Sequence, residues 1–128
     1  MAAQHYGVPL QRNPFPFLSN TLRLMRGAVA SQELRVFDRY HPAVFSAVWR
    51  NAVDLGDEAA FRAVLRGAGI DADELLRSVD DQSTKDELRR ATEVAVERGV
   101  FDAPVFFVGE ELLWGNDRLN FVERALRA

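Results

Sequence analysis

The sequence predicts a mainly α-helical chain that carries one small β-hairpin near its C-terminus. Apolar and small residues recur every three or four positions over most of the chain as far as Arg98, the period of an amphipathic helix. The period then changes. Pro104-Val-Phe-Phe-Val108 is β-rich, Gly109-Glu110 can turn, and Glu111-Leu-Leu-Trp114 can return as a second strand. Glycine and proline punctuate this pattern where helices should stop.

The N-terminal stretch, residues 1–18, holds three of the five prolines, Pro9, Pro14 and Pro16. The run Asn13-Pro-Phe-Pro-Phe-Leu18 cannot continue a helix, because each proline removes an amide donor and restricts its predecessor. It reads as an extended apolar loop. Ser19 or Asn20 can cap a helix in which Leu22, Met25 and Val29 recur up to about Ala30. A second helical pattern runs from Ser31 to about Val53, with Pro42 implying a kink or break near Tyr40, and Phe45 and Trp49 suggest a thick core there. Asp57 opens a short helix, with Ala60, Phe61, Val64 and Leu65 on one side, that Gly67 and Gly69 stop. Asp71 or Asp73 can cap another around Leu75 and Leu76. Ser83 to Arg98 is the longest helix expected, with Gly99 at the position of a C-cap glycine. The charged stretch Asp80 to Arg90 reads as its solvated face. Asn116 or Asp117 can cap a closing helix through Leu119, Phe121, Val122, Ala125 and Leu126.

Composition narrows the class of function. The chain has 128 residues, 48% hydrophobic and 27% charged, an ordinary globular composition for one packed domain. A net charge of −3, with Lys85 the only lysine, offers no general attraction to nucleic acid or to an anionic membrane. There is no cysteine, which excludes disulfides, thiolate metal sites and any dithiol mechanism in this chain. No stretch reaches the length of a membrane span and Met1-Ala-Ala-Gln-His-Tyr is not a signal peptide, so a cytoplasmic location is expected.

Val105, Phe106, Phe107 and Val108 are apolar consecutively rather than alternately, as in a strand covered on both faces. A lone hairpin is marginal in water, yet no other segment offers a convincing strand. The hairpin is therefore expected to belong to a larger sheet, whose other strands lie N-terminal to Met1 or come from another chain. The alternative is a mostly helical protein with a small hairpin of its own.

The segment Gly99-Val-Phe-Asp-Ala-Pro-Val-Phe-Phe-Val-Gly-Glu110, followed by Leu113-Trp-Gly-Asn-Asp-Arg-Leu119, closely resembles the C-terminal half of 2-hydroxychromene-2-carboxylate isomerases. These are relatives of kappa-class glutathione transferases and of the DsbA family. Tyr6-Gly-Val-Pro-Leu10, Phe15-Pro-Phe17 and Asn20-Thr-Leu-Arg-Leu-Met-Arg-Gly27 resemble the family's helical region, so the likeness covers nearly the whole chain. It implies an incomplete thioredoxin-like α/β fold of the DsbA and kappa type, with residues 1–95 as a helical insertion domain and 96–128 as the returning thioredoxin half. The family's opening strand, first helix and second strand would be absent, and with them the serine close to the glutathione sulfur. No serine here maps onto that role, so no catalytic residue is assigned.

The resemblance further implies glutathione as cofactor and a small aromatic substrate. Pro104 matches the family's cis-proline, with Ala103 offering its backbone to the cysteinyl part of glutathione as an added strand would. On local sequence alone, an ordinary trans proline opening a strand is the commoner case. Asn116 and Asp117 match positions that hold the γ-glutamyl end, and either can equally be an N-cap. Trp114 and Gly115 can shape that pocket, although a core tryptophan is the plainer account of Trp114. Phe15, Phe17 and Asn20 fall on the aromatic-substrate side of the cleft, or simply pack. His41 and His5 suggest neither a base nor a metal site. Two functions of different class stay open: a glutathione-dependent isomerase whose site is completed elsewhere, and a noncatalytic helical module that self-associates through its hairpin edges. A homo-oligomer, or a partner chain completing the sheet, is expected in either case.

Overall fold

The computed structural model describes residues 2–15 and 20–128, and the expectations placed on Phe17 and Ser19 lie outside the described residues. The order is α1 (Ala2–His5), α2 (Thr21–Glu33), α3 (Phe37–Trp49), α4 (Glu58–Gly67), α5 (Ala72–Asp80), α6 (Gln82–Glu97), β1 (Val105–Val108), β2 (Glu111–Trp114), a 3-10 turn (Asn116–Arg118) and α7 (Leu119–Arg127). The expected class, mainly helical with one hairpin, is what forms. No helix among the described residues is long and apolar enough to cross a membrane. The chain divides into two compact units, one ending at Leu88 and the other spanning Arg89–Ala128.

The first unit is a helical cluster around Phe61, Leu65 and Leu75, all fully buried, with Leu55, Ile70, Leu76 and Val79 beside them. Side-chain oxygens start three of its helices. Asn20, Asp57 and Asp71 accept from the amides of Arg23, Ala60 and Glu74 respectively, each satisfying a donor that a helix N-terminus leaves over. Asp73 is thereby released from capping, and its carboxylate pairs instead with Arg62, which also reaches Glu58; Glu58 in turn accepts from Arg23 at 2.7 Å. This chain of charges ties α2, α4 and α5 together. It holds the carboxyls of Glu58 and Asp73 below their usual range, chiefly through the hydrogen bonds from Arg23 and Arg62 respectively.

Three expectations change here. The residues preceding the proline-rich run begin with a helical turn, α1. The break expected near Tyr40 falls five residues earlier, because Arg35 takes φ +59° and the Val36 and Arg35 amides bond back to the Ser31 and Gln32 carbonyls, a Schellman closure without glycine. Pro42 then sits inside α3, where it forfeits one i to i−4 bond, while burial of Tyr40, Val44 and Ala47 holds the helix on either side. Finally, Phe45 and Trp49 are not core: they are 55% and 48% exposed.

The second unit begins within α6, which ends as expected at Gly99, φ +91°, with the Val100 amide bonding the Ala95 carbonyl. β1 and β2 pair antiparallel, Val105 opposite Trp114 and Val108 opposite Glu111, and α7 packs on β1. Val105 to Val108 are all half-buried, and no residue of Arg89–Ala128 is fully buried. Among the described residues, the sheet has two strands.

Candidate functional site

The site is assembled at the end of the hairpin remote from its turn. The chain enters β1 through a cis Ala103–Pro104 bond, as the resemblance implied. It leaves β2 through Gly115, whose φ of +99° and ψ of 142° lie in a region essentially reserved for glycine. The Gly115 amide donates to the Pro104 carbonyl at 3.0 Å, and the Gly115 carbonyl accepts from the Arg118 amide at 3.3 Å. The first bond fixes the two loops together and the second closes the 3-10 turn. A Cβ on Gly115 would stand 2.5 Å from Asp117 Oδ1, so the carboxylate folds back over the glycine. Ala103, Pro104, Asn116 and Asp117, separated by up to fourteen positions in sequence, thus share one exposed surface.

Neither Asn116 nor Asp117 is an N-cap, since the start of the 3-10 turn and that of α7 both lack a side-chain cap hydrogen bond. The short 3-10 turn takes over the task of leading into the helix. Nor is Trp114 a core residue: it is 40% exposed and its ring lies 5.4 Å from that of Phe101. Asp102 enters the site without having been singled out in the sequence. Its Oδ1 accepts from the Ala103 amide at 2.8 Å, so that amide has a partner before any ligand arrives. The tendency of aspartate to hold nearby backbone amides was the available signal.

Phe15 and Asn20 belong to the first unit. The Phe15 amide donates to Asn13 Oδ1, and buried Asn13 donates through Nδ2 to the Val48 and Val53 carbonyls, which pins this loop to the end of α3. The Asn20 side chain serves as the cap of α2. His41 lies between Phe37 and Phe45 on α3, with centroid distances of 5.4 and 4.5 Å. Among the described residues no group of three or more histidine, aspartate or glutamate side chains is placed to hold a metal ion.

A carboxylate beside the start of a helix can hold a group that carries both an ammonium and a carboxylate, the first by charge and the second by backbone amides. An exposed backbone preceding a strand can pair with a peptide. The surface thus suits a small peptide with a free amino-acid end.

The DSBA-like thioredoxin domain model matches residues 1–127. A 2-hydroxychromene-2-carboxylate isomerase from Sphingobium xenophagum is 38% identical over 84 residues, 66% of this chain and 43% of that protein. The isomerase of the same name from Pseudomonas putida is 32% identical over 124 residues, 97% of this chain and 60% of its own length. A solved 2-hydroxychromene-2-carboxylate isomerase superposes with a TM-score of 0.80 at 29% identity, covering 98% of this chain and 60% of that one. The chain spans between 43% and 60% of the length of these relatives.

Proposed function

We propose, since this chain belongs to the DSBA-like thioredoxin domain family, that it takes part in a glutathione-dependent isomerisation like that of 2-hydroxychromene-2-carboxylate isomerases, supplying the cofactor's anchors. The observation that carries this reading is the Gly115 to Pro104 hydrogen bond, which sets Ala103–Pro104 beside Asn116–Asp117.

The donor set fits the tripeptide. Asp117 takes the γ-glutamyl ammonium, the amides at the start of the 3-10 turn and α7 take its carboxylate, and Asn116 adds a neutral hydrogen-bonding group. The Ala103 backbone pairs with the cysteinyl residue, for which the Asp102 carboxylate must give up the Ala103 amide. When bound, glutathione would supply a thiolate nucleophile for reversible addition to a conjugated aromatic acid. The chain's contribution is to fix the tripeptide so that such an encounter becomes intramolecular. No residue of this chain is assigned to hold the thiolate.

The test compares glutathione with the dipeptide Cys-Gly, which lacks the γ-glutamyl end, alongside an isomerisation assay with 2-hydroxychromene-2-carboxylate. Glutathione should bind at least about tenfold more tightly. Equal affinities would remove Asn116 and Asp117 from the site. Binding without turnover would identify the chain as an anchor module that needs other groups for the chemistry.

A second reading, a noncatalytic self-association module, is favoured by one observation: both outer edges of the two-stranded sheet lack a strand partner among the described residues, and such edges pair readily.

A further inference from the structure

The last four carbonyls of α3 are all satisfied from within the chain. The Ser46 carbonyl accepts from the Arg50 and Asn51 amides, that of Ala47 from the Val53 amide, and that of Trp49 from the Gln11 amide at 2.6 Å. The Val48 carbonyl accepts from Asn13 Nδ2 at 3.1 Å. A helix C-terminus otherwise leaves such acceptors over. Two of these bonds come from the loop that carries Val8 and Leu10, so the loop is held against α3 before any ligand arrives. Between them lies a cleft of about 470 Å³, whose lining includes Val8, Leu10, Phe45, Ser46, Trp49 and Arg50, all in the first unit. That volume falls within the ~300–1,000 Å³ of small-molecule sites. Val8, Leu10, Phe45 and Trp49 are each about half exposed, and contiguous apolar surface of this kind marks a binding groove.

We infer that this cleft is a binding site for a small aromatic carboxylate, with the ring against Phe45 and Trp49 and the carboxylate on Arg50. Charge selects the polar end of the ligand. Arg50 is the one charged residue of the lining, and it has no ion-pair partner among the described residues. Ser46 adds a hydroxyl on the same helix, one turn away. Because the carbonyls at the end of α3 are already taken and no acid lines the cleft, a cation finds no acceptor there, whereas a carboxylate finds the planar guanidinium fork that suits it. The apolar end is selected by Phe45 and Trp49, which stand four apart on one helix face. A flat ring gains from contact with such side chains more than its buried area alone supplies, which a saturated chain does not. The lining holds no histidine, thiol or amine, so the cleft binds without chemistry of its own. It lies in the helical unit, and the inference stands apart from the glutathione reading.

Titration of the full chain with 2-naphthoate, followed by the NMR shifts of backbone amides and the Trp49 indole N–H, tests it. Saturable shifts are expected at Val8, Leu10, Ser46, Trp49 and Arg50. The uncharged 2-naphthamide should bind about fivefold more weakly or worse, and Arg50→Gln should weaken 2-naphthoate to the same degree while leaving 2-naphthamide unchanged. Decanoate, with the same charge and no ring, should bind more weakly than 2-naphthoate. Shifts confined to residues 89–128, no saturable shift at all, or equal affinities for 2-naphthoate and 2-naphthamide would overturn the inference. Decanoate binding as tightly as 2-naphthoate would overturn the aromatic class of the ligand.

Discussion

The Tyr40 hydroxyl on α3 donates to the Leu24 carbonyl of α2 at 2.7 Å, crossing directly over Gly27. A Cβ at position 27 would collide with the hydroxyl and the ring carbon that bears it. Glycine inside a helix is normally unfavourable, so here its value lies in letting the two helices approach and the phenol reach the backbone.

Gly27→Ala should therefore destabilise the chain by about 1–3 kcal/mol, as overpacking does in a filled core, even though alanine is the better helix former. Tyr40→Phe alone should cost about 0.5–1.5 kcal/mol, the ordinary worth of a hydrogen bond. Because the two changes meet at one atom, the double variant should be less unstable than the sum. Urea midpoints of the three variants decide it; strict additivity would mean that the helices simply move apart.

Burial pushes the Tyr40 phenol above its ordinary value, with Arg23 opposing in part. The folded state thus holds its proton more tightly than the unfolded state does, and the contribution to stability is complete below the unfolded pKa near ~10. It is lost as pH rises from there toward the folded value. Denaturant midpoints followed into alkali should fall more steeply for the wild type than for Tyr40→Phe. Parallel curves would show the phenol to be reached by solvent.

The Arg23, Glu58, Arg62 and Asp73 network lowers the carboxyl pKa values of both acids. The sign is opposite to that of Tyr40: stability from these groups is fully present above the unfolded pKa near ~4 and lost as pH falls from there through the lower folded values. Glu58 is half-exposed, so Glu58→Gln should cost no more than about 0.5 kcal/mol, and molar salt should abolish the difference. A larger, salt-independent loss would point to packing of the glutamate stem.

Asp102 holds the Ala103 amide at 2.8 Å, the amide that the proposed ligand must claim. Asp102→Ala should tighten glutathione binding, by about fivefold if the competing bond is worth ~1 kcal/mol. Weaker binding would show instead that the Asp102 carboxylate is itself an anchor.

The hairpin was legible because four consecutive apolar residues, a Gly-Glu turn and a second apolar strand leave little alternative. Asp57, Asp71 and Gly99 announced helix ends through chemistry that acts within one turn. The end of α2 was not legible, because Arg35 occupies the left-handed position where a glycine would have been the signal. Phe45 and Trp49 read as core in the sequence because α3 carries apolar residues on two sides, and periodicity alone does not say which stripe a neighbouring helix covers. At the site, the cis bond followed from family resemblance and from nothing local. The Gly115 to Pro104 bond joins residues eleven apart and has no local signature.

In the proposed function, Asp117, held over Gly115 beside Ala103–Pro104, anchors the amino-acid end of glutathione. Calorimetric titration of the chain with glutathione, repeated on Asp117→Asn, decides it. Saturable binding at one site is expected, weakened about tenfold or more by Asp117→Asn through loss of a charge-assisted pair, with the circular dichroism unchanged. Binding of equal strength in the two proteins, or none in the wild type, would contradict it.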